Sequence, residues 1–139
     1  MFKYLKNLHD DSIPSEVYTY SAPAYYDESP AILVGDIVAL TMGEIGETIN
    51  SGDKFYLALT GKNQGETKDI KCIRITSGMV FEADIGDDSE PFSFFVGALC
   101  GIHVNEEGRS RALSTNSNSA FEVLDNSNID NGKVTVVAL

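Results

Sequence analysis

The sequence predicts a small all-β protein: a single β-barrel or β-sandwich domain over residues 31–139, preceded by an extended N-terminal arm, residues 1–30. Three observations carry this expectation. Short runs of β-branched and aromatic residues recur from residue 31 to residue 139, and the best of them alternate with period two. Clusters of Gly, Asn, Asp and Ser separate the runs at the spacing of tight turns. No stretch holds an apolar period of 3.6 long enough to build a helical fold.

Residues 1–30 stand apart. They contain three of the four prolines (Pro14, Pro23 and Pro30) together with Tyr18, Tyr20, Tyr25 and Tyr26. Residues 2–8 (FKYLKNL) suit one or two helical turns, ended by Asp10, Asp11, Ser12 and Pro14. The stretch that follows reads as an extended arm and not as a central strand, because proline lacks a backbone donor and restricts its predecessor. Tyrosine offers large contact area at small entropic cost and marks surfaces that meet partners. Tyr18, Tyr20, Tyr25 and Tyr26 are therefore the candidate contact residues of a docking arm, with Phe2, Tyr4 and Leu5 as a second set.

Strand patterns take over at residue 31. Residues 31–42 (AILVGDIVALTM) read as two short strands, or one bulged strand, around Gly35 and Asp36. Residues 51–61 place Phe55, Leu57 and Leu59 on one face and Lys54, Tyr56 and Ala58 on the other. Residues 69–76, 79–85 and 92–99 follow as strands, the last mostly apolar and central. Residues 120–125 and 133–139 close the chain. Ser77–Gly78 signals a two-residue hairpin, and Asn131–Gly132 favours a type I′ turn. Helix is expected, if anywhere, at 44–50 or near 109–115.

Composition excludes several function classes. The formal net charge is -11 and the pI about 4.4, which opposes binding to nucleic acid phosphates or to an anionic membrane. No run approaches a membrane span, and the N-terminus lacks the pattern of a signal peptide, so synthesis in a cytoplasm is expected. Cys72 and Cys100 each sit in an apolar run and are expected to be reduced and buried.

Motifs for chemistry are weak. The acids at 87–90 and at Glu106 and Glu107 lack the alternating ligands of a calcium loop and read as solvated turns. No Cys/His cluster suggests zinc, so neither a metal nor a cofactor is expected. His9 and His103 read as packed or edge residues. Arg109 and Arg111, close to Glu106 and Glu107, read as a salt-bridged turn. No nucleophile elbow or phosphate loop is present, and a non-enzymatic role is expected.

The succession VGDIVAL, SGDKFYLALTG, VGALCGIHVNEEGRSRAL, SAFEVLD and NGKVTVVAL resembles the small head-decoration (capsid cement) proteins of tailed bacteriophages. The likeness spans roughly residues 31–139 and is a pattern of strands and turns without a catalytic signature. It implies a structural virion protein, made in the host cytoplasm, that sits on the capsid exterior. It also implies bridging of major capsid protein subunits, with a homo-oligomer, a trimer, as the favoured state. A virion fibre-base or carbohydrate-binding β-sandwich module is the alternative.

Overall fold

The computed structural model describes residues 1–9, 16–46, 54–86, 93–104, 109–113 and 120–139. The fold is all-β, as the turn spacing predicts. The strands in chain order are β1 (Phe2–Asn7), β2 (Val17–Ala22), β3 (Ile37–Thr41), β4 (Glu44–Gly46), β5 (Lys54–Ala58) and β6 (Lys68–Arg74). Then come β7 (Met79–Asp84), β8 (Leu99–Val104), β9 (Ser110–Leu113), β10 (Phe121–Asp125) and β11 (Lys133–Ala138). They form two compact units: one of residues 1–14, 76–103 and 111–139, the other of residues 15–75 and 104–110.

The second unit is a closed barrel in the order β2-β4-β3-β5-β6. Its neighbours are antiparallel except β2 and β4, which close it in parallel at Ser21 opposite Glu44. Alternation turns Tyr56 and Ala58 of β5, and Ile70 and Cys72 of β6, into a core with Ile32, Val38 and Ile45. Met42 and Gly43 join β3 to β4 with φ of 50° and 82°, the pair of positive values that a type I′ turn demands.

Asp36, 2% exposed, fastens this barrel from inside. Its carboxylate accepts from the Leu33 amide at 2.9 Å and pairs with the Arg109 guanidinium at 2.7 Å. Arg109 also donates to the Ala31 carbonyl at 2.6 Å. The buried Ser110 hydroxyl accepts from the Ile37 amide at 2.8 Å and donates to the Ile37 carbonyl at 3.1 Å. Burial pushes the Asp36 carboxyl above its ordinary range, against the opposing pull of these donors and the guanidinium. Arg109 is thus a partner of the buried Asp36; Glu106 and Glu107, expected beside it in a salt-bridged turn, lie outside the described residues.

The first unit is a sheet in the order β1-β7-β11-β10-β8-β9. A parallel bridge between Ile85 and Ala112 brings the chain after β7 alongside β9. Phe2 of β1 lies opposite Ala83 of β7, is 3% exposed, and stacks on Phe121 with centroids 5.4 Å apart. Phe81, Phe94 and Phe121 fill the core.

The two units are versions of one design. Strands β7, β8, β9, β10 and β11 repeat the neighbours and directions of β2, β3, β4, β5 and β6, down to the parallel contact that meets β4 in one and β9 in the other. The turn before β3 and the turn before β8 share one frame. Gly35 (φ 93°) donates to the Ala58 carbonyl and Ala58 donates back to that of Asp36. Gly97 (φ 90°) and Val123 do the same, with Ala98 as the acceptor. Tyr18 and Tyr56 meet edge-to-face at 5.8 Å and 83°, and their counterparts Phe81 and Phe121 do so at 5.9 Å and 82°.

Several expectations are corrected. Residues 1–30 are not an extended docking arm: β1 pairs with β7, and β2 with β6 and β4. Pro23 follows the β2 run and so removes no donor from its ladder; Pro14 lies outside the described residues. Residues 2–7 are a strand, not helical turns, because Phe2 reaches the aromatic core. Residues 44–46 and 110–113 are strands where helix was entertained; 47–50 and 114–115 lie outside the described residues. The apolar stretch before residue 99 is a turn over Phe95–Ala98 that buries Phe94. Ser77–Gly78 carries the chain from β6 to β7, which are not paired, so it closes no hairpin. Asn131 ends a short 3-10 turn (Ile129–Asn131) and Gly132 is its left-handed cap, in a longer β10–β11 connection.

Candidate partner-binding surface

The tyrosines chosen from the sequence divide by role. Tyr18 and Tyr20 are half-buried and pack on the barrel core, stacked on each other at 6.0 Å and 7°. Both also lean edge-on against Tyr56. The Tyr18 hydroxyl donates to the Glu16 carboxylate at 2.8 Å, a bond that raises its pKa. Burial, then a hydrogen bond with Tyr20, pushes the Tyr56 phenol up to about 12. These three rings form a wall of the barrel.

Tyr25 and Tyr26 behave differently. They follow Pro23 on the way out of β2 and are 76% and 60% exposed. The Tyr25 hydroxyl donates to the Glu44 carboxylate, which fixes the ring across the start of β4 and raises the phenol pKa. Ser29, in the same segment, ties back through its amide to the Tyr26 carbonyl at 3.1 Å. Large aromatic rings left in solvent on a braced segment are the composition of a contact surface.

These rings border a cleft of about 440 Å³, to which Ala39, Met42, Ile45 and Lys62 also contribute. Met42 is 98% exposed and sits at positive φ, a conformation that costs an L-residue about 1 kcal/mol or more. Lys62 is 6% exposed and donates to the Pro23 carbonyl at 3.4 Å, placing one cation in the wall. Among the described residues the cleft therefore offers apolar and aromatic area, the Lys62 ammonium and the Glu44 carboxylate.

The second set from the sequence fares unevenly. Phe2 is core, and no partner can reach it. Tyr4 is half-buried against Phe81 at 5.7 Å, and Leu5 is 45% exposed. Sequence reasoning missed Met42, Glu44 and Lys62; the Met42–Gly43 pair between two apolar runs was the available turn signal. Among the described residues no group of His, Cys, Asp and Glu is arranged to hold a metal ion. Cys72 and Cys100 are free and buried, and burial raises their thiols to about 11 and about 12. Among the described residues no helix is long and apolar enough to cross a membrane. No protein-family model, curated protein or solved structure matches the chain.

Proposed function

We propose that this chain is a capsid decoration protein, which binds the outside of a bacteriophage head and bridges neighbouring major capsid subunits. The resemblance over residues 31–139 supplies the identity of the partner. The observation that carries the means of binding is the braced cluster of Tyr25, Tyr26 and Met42, all largely exposed around one cleft on a closed barrel. A repeated shell needs a rigid adaptor with apolar contact residues at fixed positions, since avidity over a lattice multiplies weak contacts. A net charge of -11 keeps such an adaptor soluble at high copy number.

The test is co-sedimentation of the purified protein with undecorated heads. Saturable binding at a fixed ratio to capsid subunits is expected. Tyr25→Ser combined with Tyr26→Ser should weaken it about tenfold or more, since exposed aromatic anchors contribute over 1 kcal/mol each. Absence of binding by the unaltered protein rejects the reading, and capture of a glycan instead of heads transfers it to a carbohydrate-binding module.

A further inference from the structure

The internal repeat serves as its own comparison. Its two halves differ at most matched positions: Asp36 answers to Ala98, Tyr20 to Ala83 and Tyr56 to Phe121. One surface feature is shared. The turn before β3 exposes Leu33 (48%) and Val34 (59%), and the turn before β8 exposes Phe95 (61%) and Val96 (61%). One residue beyond the carbonyl that anchors each turn stand Leu59 (37% exposed) and Leu124 (40%). Each unit thus carries the same apolar trio on the same backbone frame.

Tight turns ordinarily present Gly, Asn, Asp and Ser to water, for reasons of local backbone chemistry. A lone exposed leucine needs no explanation. Two trios that match in place, exposure and apolar character do, because nothing in the turn frame requires them. The frame needs only the glycine and the two backbone bonds to the opposite strand. The core needs only the preceding residue, Ile32 or Phe94, each 1% exposed.

We infer that these trios are two equivalent docking knobs, and that the partner is an assembly presenting one apolar socket in repeated copies. This rests on the capsid reading, which supplies such an assembly as a lattice of identical subunits. Charge points to the same occupant. A second copy of a chain at -11 would bring like charge against like at these knobs. One chain would then span two sockets and saturate heads at one chain per two of them. Bivalence also accounts for keeping both trios, since the second contact forms at high effective concentration once the first is made.

The test compares four proteins in binding to undecorated heads: the unaltered chain, Leu33→Ser with Val34→Ser, Phe95→Ser with Val96→Ser, and all four changes together. The sites are exposed, so circular dichroism and thermal melting should match the unaltered chain and certify the fold. Each paired variant should lose about a hundredfold or more in apparent affinity while still binding, and should saturate at up to twice the ratio of chains to subunits. The fourfold variant should bind no better than the limit set by the remaining surface. Unchanged affinity and ratio in both paired variants overturns the knobs and leaves the capsid reading intact. Loss in one pair alone overturns their equivalence. Failure of the unaltered chain to bind heads removes both.

Discussion

Tyr20 and Phe2 show how one packing problem was solved twice. In the first unit Phe2 comes from β1, faces the small Ala83, and stacks on Phe121 at 5.4 Å. In the second unit the position matching Ala83 is Tyr20, whose own ring reaches Tyr56 at 5.4 Å. A large residue on the edge strand β1 and a small one on β7 are thus replaced by a single large one. Met42 illustrates the opposite tendency, a residue kept at a cost to the fold. Met42→Gly should raise stability by about 1 kcal/mol, because glycine adopts positive φ without the side-chain penalty. The same change should weaken head binding; a melt and a sedimentation assay on one sample check both directions. Asp84 sets the acid limb. Burial alone would raise its carboxyl, but hydrogen bonds from Lys133 at 2.7 Å and from the amino terminus bring it below the ordinary 3.8. A depressed carboxyl stabilises the fold above its ordinary pKa, and that contribution disappears as pH falls through the depressed value. Lys133→Met should therefore destabilise at neutral pH by under about 1 kcal/mol, as befits a half-exposed pair. The difference from the unaltered protein should shrink in urea melts as pH falls through the depressed carboxyl.

At the scale of elements, β1 and β2 are structural. Removal of residues 1–30 should abolish cooperative unfolding, because it strips β7 of a partner and opens the barrel between β4 and β6. Removal of residues 1–9 alone should leave the second unit its own strands while exposing Phe81 and Phe121, detectable as dye binding to apolar surface. A folded, stable truncation at residue 31 would contradict the assignment. The strand runs at 54–58, 68–74, 79–84, 121–125 and 133–138 were legible because alternation or β-branched content met turn residues at both ends. The run VYTYSA carries the same alternation, but the prolines around it read as breaks. Proline breaks a ladder only where it stands, and Pro23 stands beyond the end of β2. The stretch before residue 99 misled in the other direction. Its aromatic content suits a strand, but Gly97 at φ 90° turns the chain and leaves only Phe94 inside.

On the scale of the whole molecule, the repeat is the property the sequence hides most effectively. ILVG at 32–35 and FFVG at 94–97 carry it, as do FYLAL at 55–59 and AFEVL at 120–124. Few side chains are shared, because a β-unit asks only for an apolar residue of fitting size at each inward position. Only the Val-Gly step is retained outright in the turn. The surface positions of Tyr25 and Tyr26 were legible from their residue type. Met42, Glu44 and Lys62 were not, since what assembles them is barrel closure between strands distant in sequence. Asp36 and Arg109 escaped for the same reason: 73 positions separate them, and only the folded barrel pairs them.

That last pairing bears on the order in which the chain is made. Synthesis delivers β2 through β6 in succession, so the strands of the barrel are available before β7 exists. β1 emerges first of all, yet its partner β7 comes more than seventy residues later, and until then Phe2 has no core to enter. Arg109 arrives later still, after all five strands of the barrel. Each unit is therefore completed late in the chain: the Asp36 pairing by Arg109, and the pairing of β1 by β7.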